Sequence, residues 1–287
     1  MIEKKPTIRS FDLGDAVVEY LFYAGDGPTI IFLHATGFLP WLWHPIARRL
    51  CPAYTIIAPY FCDHRAAEPE GGGLSWATLA EDLNRLCEGL NLESPYIVGH
   101  SMGATVTTLA VSALGLRAKK AVLIEPIFLP EMLYGIPITV EQHPLGSKSI
   151  KRKNYWEDRA AALEYLQSKS LFKRWDNEML ELYIQYGFVP GESGGLTLAC
   201  SPRKEAALFM GGMAKNPWPF LPDMNCPTLV VEGELSDNRT YIDLKKASTL
   251  LPQGAYHQVK DAGHLIPMEK PLEIVKIINE FFKERIC

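Results

Sequence analysis

The chain is 287 residues long, 47% hydrophobic and 22% charged, with a formal net charge of −4. That is ordinary globular usage, enough for a large core, and the length suits one α/β unit carrying an insertion. The balance gives no support for nucleic-acid binding, and no apolar run reaches the ~18 residues of a membrane span.

The six cysteines (51, 62, 87, 200, 226 and 287) are scattered without C-x-x-C spacing, so reduced thiols are expected and a metal site has no support. The start MIEKKPTIRS lacks the apolar run of a secretory signal, which makes the cytoplasm the expected compartment.

Strand and helix signals alternate over the first third. IRSFDLGDAVVEYLFY reads as a hairpin turning at Gly14 and Asp15. TIIFL (29–33) and TIIAP (55–59) are short β-branched runs, as expected of strands buried on both faces. SWATLAEDLNRLCEGL (75–90) carries a helical apolar stripe with Ser75 as its N-cap. PYIVG (95–99) predicts the next strand, a helix follows from Met102, and AVLIE (121–125) predicts another strand.

After Pro126 roughly 100 residues pass before the next buried-strand signal, PTLVVEG (227–233), far more than a crossover between parallel strands needs. The core is therefore expected at 1–126 and 223–287, with 127–222 as an insertion. Helical patterns fall near 156–168, 177–186 and 202–210, the last opened by Ser201-Pro202. Its many aromatics, Trp156, Trp175, Tyr183 and Trp218 among them, are expected mainly to pack it onto the core. KSIKRKN (148–154), beside Glu157 and Asp158, reads as a solvated face. AYHQVK (255–260) predicts the last strand and PLEIVKIINEFFKERI an amphipathic final helix.

Repeated βα units give a mostly parallel sheet with helices on both faces, and chemistry gathers at the carboxyl ends of its strands. VGHSMGAT (98–105) places Ser101 at such an end, with Gly99 and Gly103 two residues away on either side. A sharp strand-to-helix turn brings the helix so close to the strand that side chains at those two positions would collide. The hydroxyl is then lifted beside the free N–H of Met102, a donor for a developing oxyanion.

A serine needs a base. His264, in DAGHLIPMEKP after the last strand, is the best placed of the seven histidines. His100 adjoins Ser101 but is expected to pack rather than act. An acid must orient the imidazole. Asp237, in ELSDN and 27 residues before His264, is the favoured one, and Glu125, which ends the preceding strand in VLIEPIF, competes with it. The loop HATGF (34–38) should supply the second oxyanion N–H, from Thr36 first and Ala35 next, with His34 a structural hydrogen-bonding residue.

HATGF, GHSMGA, GELSD and DAGHLIP together resemble the α/β-hydrolase family, over nearly the whole chain except the insertion. The resemblance implies an eight-stranded, mostly parallel sheet, a helical cap formed by 127–222, and a cofactor-free, metal-free Ser–His–acid mechanism. Three places depart from the family's usual pattern: His34-Ala35 where His-Gly is common, APYFCDHRAAEP in place of a D-x-x-G-x-G turn, and an aspartate one residue late in GELSD.

The expected function is hydrolysis of a carboxylic ester or lactone of a small, fairly hydrophobic substrate. The same triad acting on a C–C bond, a thioester or a peracid stays open, as does a non-catalytic ligand receptor on this scaffold. Serine rather than aspartate at position 101 argues against epoxide hydrolase or dehalogenase chemistry. The expected partner is a small molecule rather than nucleic acid or membrane, and a homodimer is left open.

Overall fold

The β-branched runs become the middle of one sheet. In the computed structural model, which describes residues 5–283, the chain begins β1 (Thr7–Asp12), β2 (Val17–Tyr23), β3 (Thr29–Leu33), α1 (His44–Leu50) and β4 (Thr55–Pro59). It continues with α2 (Trp76–Gly89), β5 (Tyr96–His100), α3 (Met102–Thr108) and β6 (Lys120–Ile124). Between β6 and β9 come α4 (Gly146–Ile150), α5 (Arg159–Gln167), α6 (Asn177–Tyr186), a hairpin of β7 (Phe188–Pro190) and β8 (Leu196–Leu198), and α7 (Pro202–Gly211). The chain then closes with β9 (Thr228–Gly233), α8 (Leu244–Leu250), β10 (Gly254–Val259), α9 (Ile266–Glu269) and α10 (Pro271–Lys283). The opening residues 1–4, the last residues expected of the final helix and Cys287 lie outside the described residues.

Eight strands form the main sheet in the order β1-β2-β4-β3-β5-β6-β9-β10. β1 and β2 pair antiparallel, as does β2 with β4, and the pairs from β4 to β10 are parallel. This is the mostly parallel α/β architecture expected. All five residues of β5 and of β6 are buried, which explains their continuous apolar reading. Helix α2 buries Trp76, Leu79, Leu83 and Leu86, at about 1.5–3 kcal/mol for each large side chain, and Ser75 caps it by accepting from the Ala77 N–H.

The stretch between β6 and β9 packs with the elements around it: Trp156, Phe172, Trp175 and Met179 lie in the same apolar cluster as Leu42 and Trp43. α6 is anchored by Trp41 and Tyr186, whose rings stack with centroids 3.6 Å apart and planes within 1°. Leu74 N–H donates to Ala207 O (3.0 Å) and the Trp76 indole to Leu208 O (2.8 Å), tying α7 to the start of α2.

The basic stretch 148–154 departs from its solvated reading. Arg152 turns inward and bonds both oxygens of buried Glu205, at 2.9 and 2.7 Å, while Lys148 and Lys151 stay exposed. The unusual loop after β4 is held by charge. Buried Asp82 accepts from Arg65 (2.7 Å) and contacts His64 (2.8 Å), and Arg65 reaches on to Asp15 in the first hairpin. No helix among the described residues is long and apolar enough to cross a membrane.

Candidate active site

The turn after β5 takes the shape its glycines foretell. Ser101 sits at φ 54°, ψ −115°, a left-handed conformation that costs a serine about 1–3 kcal/mol. The surrounding backbone holds it there: its N–H donates to Ile124 O (2.9 Å), and its carbonyl accepts from Ala104 (3.1 Å) and Thr105 (3.2 Å). A Cβ on Gly99 would strike the carbonyl of Gly103, and one on Gly103 would strike the carbonyl of Leu33. Both collisions are with backbone, which cannot step aside. Met102 opens α3, so its N–H has no acceptor within the helix.

The loop from β10 brings His264 to this serine. Its Nε2 lies 3.1 Å from Ser101 Oγ, and its Nδ1 lies 2.9 Å from Glu125 Oε2. Glu125 follows directly on β6, fully buried and at φ 51°. Its carboxylate also accepts from the Gly233 N–H (2.7 Å, Oε1) and from the Ser236 hydroxyl (2.6 Å, Oε2). A carboxylate beside Nδ1 fixes the proton on that nitrogen, leaving the Nε2 lone pair aimed at the hydroxyl. Ser101, His264 and Glu125 thus form one hydrogen-bonded chain.

The structure corrects the expected partner of His264. The carboxylate at its Nδ1 belongs to Glu125 rather than Asp237. The chain leaves β9 into a single 3-10 turn, Asp237–Thr240, which points Ser236 and Asn238 inward and leaves Asp237 exposed. Asn238 Nδ2 lies 3.0 Å from His264 Nδ1. Adjacency explains why both acids were in contention: β6 and β9 pair in the sheet, so their carboxyl ends lie side by side.

His100 does more than pack. Its buried Nε2–H donates to the backbone carbonyl of His264 (2.9 Å), and burial pushes its pKa down to about 3, so the ring is neutral. His34 accepts from the Phe61 N–H at Nε2 (2.9 Å) and donates from Nδ1 to Ala35 O (2.9 Å), joining the ends of β3 and β4. Burial pushes its pKa down to about 4.

The loop that starts at His34 is set beside the elbow because Leu33 pairs with Gly99. Ala35 and Thr36 are both buried there. Residues between β6 and β9 pack on this loop and on α9. Phe38 packs on Trp175 (5.6 Å) and Tyr183 (5.7 Å), a Cβ on Gly37 would run into the Glu205 carboxylate, and Asp176 N–H donates to Met268 O (2.9 Å). Cations along this seam face carboxylates: Arg152 on Glu205, Arg174 on Glu269 and Lys204 on Asp63. Among the described residues, no three or more His, Cys, Asp or Glu side chains group so as to hold a metal ion.

With this geometry established, comparison with known proteins decides the family. Residues 30–277 match the model of the alpha/beta hydrolase family. The chain belongs to the α/β-hydrolase family. It is 26% identical over 259 residues to a 2-(acetamidomethylene)succinate hydrolase of Mesorhizobium japonicum, covering 90% of this chain and 88% of that one. The crystal structure of an E-2-(acetamidomethylene)succinate hydrolase superposes with a TM-score of 0.79 at 21% identity, over 97% of this chain and all of that one. A thermophilic esterase from Thermogutta terrifontis, solved with malate bound, superposes with a TM-score of 0.70 at 22% identity, over 97% and 98%.

The family resemblance read from the four motifs therefore holds, and hydrolase chemistry goes with it. Sequence reasoning missed the inward-facing Ser236 and Asn238, which contact Glu125 and His264, and the bond from His100. The signal for Glu125 was there: a carboxylate directly after a strand buried on both faces must be paired.

Proposed function

We propose that this protein is a serine hydrolase that transfers an acyl group to water through Ser101, with His264 as base and Glu125, rather than Asp237, as the acid. The single observation behind this reading is the unbroken contact chain from Ser101 Oγ through His264 to Glu125, at 3.1 and 2.9 Å. In the first step Oγ attacks a carbonyl carbon while Nε2 takes its proton. The oxyanion is met by the N–H groups of Met102 and Thr36, each contributing roughly 3–4 kcal/mol. His264 then protonates the leaving alcohol, activates a water against the acyl-enzyme, and returns the proton to Ser101 as the acid departs.

The inserted segment 127–222 acts in this reading as a cap. Its chemistry favours an uncharged, fairly apolar ester or lactone. Aromatics Phe38, Trp175 and Tyr183 crowd the loop beside the nucleophile, and the seam's cations already face carboxylates. A substrate carboxylate would have to displace one of those pairs, at a desolvation cost that a neutral acyl group avoids.

The test is labelling with a fluorophosphonate probe together with hydrolysis of p-nitrophenyl acetate and butyrate. Wild type should label at Ser101 and turn over both esters, and Ser101→Ala should lose both signals. Glu125→Gln should lower kcat/KM by about 10³–10⁴, whereas Asp237→Asn should stay within about twofold. Turnover surviving in Ser101→Ala would end this reading.

A further inference from the structure

Three elements between β6 and β9 converge on the turn that follows Thr36. Phe38 N–H donates to Ala35 O (3.1 Å), closing a turn with Gly37 at φ 76° in its third place. That left-handed position suits glycine, and its open side is taken by a carboxylate. Glu205, in the first turn of α7, puts its carboxyl group and Cγ where a side chain on Gly37 would stand.

This glutamate is itself fixed. Arg152, just after α4, donates to both its oxygens (2.9 and 2.7 Å) and also to the Tyr183 oxygen on α6. The Tyr183 ring meets Phe38 edge-on. Val140, Ala206 and Met210, with Ile150 packed against them, hold α4 to α7. A buried carboxylate left unpaired would be destabilising, and its charge would oppose an oxyanion forming nearby. Arg152 removes both difficulties, so the pair presents a fixed shape without net charge.

The other end of the loop is fixed by the sheet. His34 bridges the Phe61 N–H and Ala35 O, and Thr36 lies buried between the two anchors. A loop held at one end only can swing, and an oxyanion donor works through a direction set in advance.

We propose that Glu205 is a positioning residue for the oxyanion loop: through the turn at Gly37 it sets the direction of the Thr36 N–H. Arg152 acts through Glu205. This rests on the Ser101–His264–Glu125 reading above, with Thr36 as one oxyanion donor. One half of the oxyanion hole is then completed by the stretch between β6 and β9, and the other, the Met102 N–H, by the elbow alone.

The experiment compares a trifluoromethyl ketone inhibitor with hydrolysis of p-nitrophenyl butyrate, with circular dichroism to establish folding. Ser101 Oγ adds to the ketone carbon, its proton passes to His264 Nε2, and the ketone oxygen becomes an oxyanion in the hole. Affinity for the ketone therefore reads the hole itself. Glu205→Ala should weaken the ketone and lower kcat by about 10- to 100-fold, with KM within about threefold. Glu205→Gln keeps the shape and should recover most of that loss. Gly37→Ala pushes on the same carboxylate from the other side, so its loss and that of Glu205→Ala should overlap rather than multiply in the double variant. Arg203→Ala, on the same helix but paired at the surface with Glu68 and Glu70, should leave ketone affinity and kcat unchanged.

A folded Glu205→Ala that binds the ketone as wild type does overturns the proposal. If Glu205→Ala does not fold, Gly37→Ala decides, and wild-type affinity for the ketone overturns it. If wild type neither hydrolyses the ester nor binds the ketone, or Ser101→Ala does both, the serine-hydrolase reading falls and takes this inference with it. A merely structural ion pair would lower the urea midpoint on removal and leave ketone affinity in place.

Discussion

The elbow at 98–104 and the stretch between β6 and β9 are built from different kinds of contact. At the elbow, backbone meets backbone. Gly99 faces the carbonyl of Gly103, and Gly103 faces that of Leu33. Between β6 and β9, side chain meets side chain: Phe38 on Trp175 and Tyr183, Trp41 on Tyr186, Trp156 on Phe188. A backbone contact leaves one residue type that fits, so it is written into the sequence. An aromatic contact can be met by several residues from several directions, so composition reveals it while placement does not.

The sharpest way to break that contrast is to add one carbon at the elbow. Gly103→Ala places its Cβ against the carbonyl and the Cβ of Leu33, with no rotamer to escape into. The expected loss is about 3 kcal/mol of unfolding free energy, measured by urea titration, with fluorophosphonate labelling lost alongside it. A folded Gly103→Ala of wild-type stability would mean that α3 can move away from β3, and the elbow would no longer be special.

Acid should strike the elbow's side of the comparison next. His34 and His100 are buried and neutral, with pKa values pushed down to about 4 and about 3, against an unfolded value near 6.5. Below that unfolded value the unfolded chain binds protons that the folded one refuses. Their contribution is therefore intact above about pH 6.5 and is lost as the pH falls toward their folded values. For His34 alone the loss by pH 4 is about 3 kcal/mol. Urea midpoints measured between pH 7 and pH 4 should fall accordingly. His34→Gln should flatten the slope by up to one proton, and an unchanged slope would show that His34 takes up its proton while folded.

The same distinction accounts for what could be read without coordinates. β3 and β4 fall on their apolar runs, α6 on its periodic stretch, and α7 begins at Ser201 and Pro202 as its cap and first residue. These are local signals. The β7–β8 hairpin was hidden because three-residue strands are too short to show alternation, and Arg152 was hidden because its partner Glu205 lies 53 residues away. The histidine's partner was ambiguous for a reason of the same kind. β6 and β9 end side by side, so chain order allows an acid from either, and only the direction of the 3-10 turn after Ser236 sends Asp237 outward.

The smallest expected effect tests whether the two regions unfold together. Trp41→Leu removes the parallel stack with Tyr186 that fastens α6 to the segment after the Thr36 loop. Stacking of this kind contributes about 1 kcal/mol beyond the area it buries, too little to unfold the sheet. The change should appear in native-state hydrogen exchange as faster exchange of the α6 amides, with those of β5 unchanged, because each region then opens with its own free energy. Equal acceleration in both would show that α6 and the central strand open as one cooperative unit. The aromatic contacts would then hold the elbow shut as firmly as its glycines let it close.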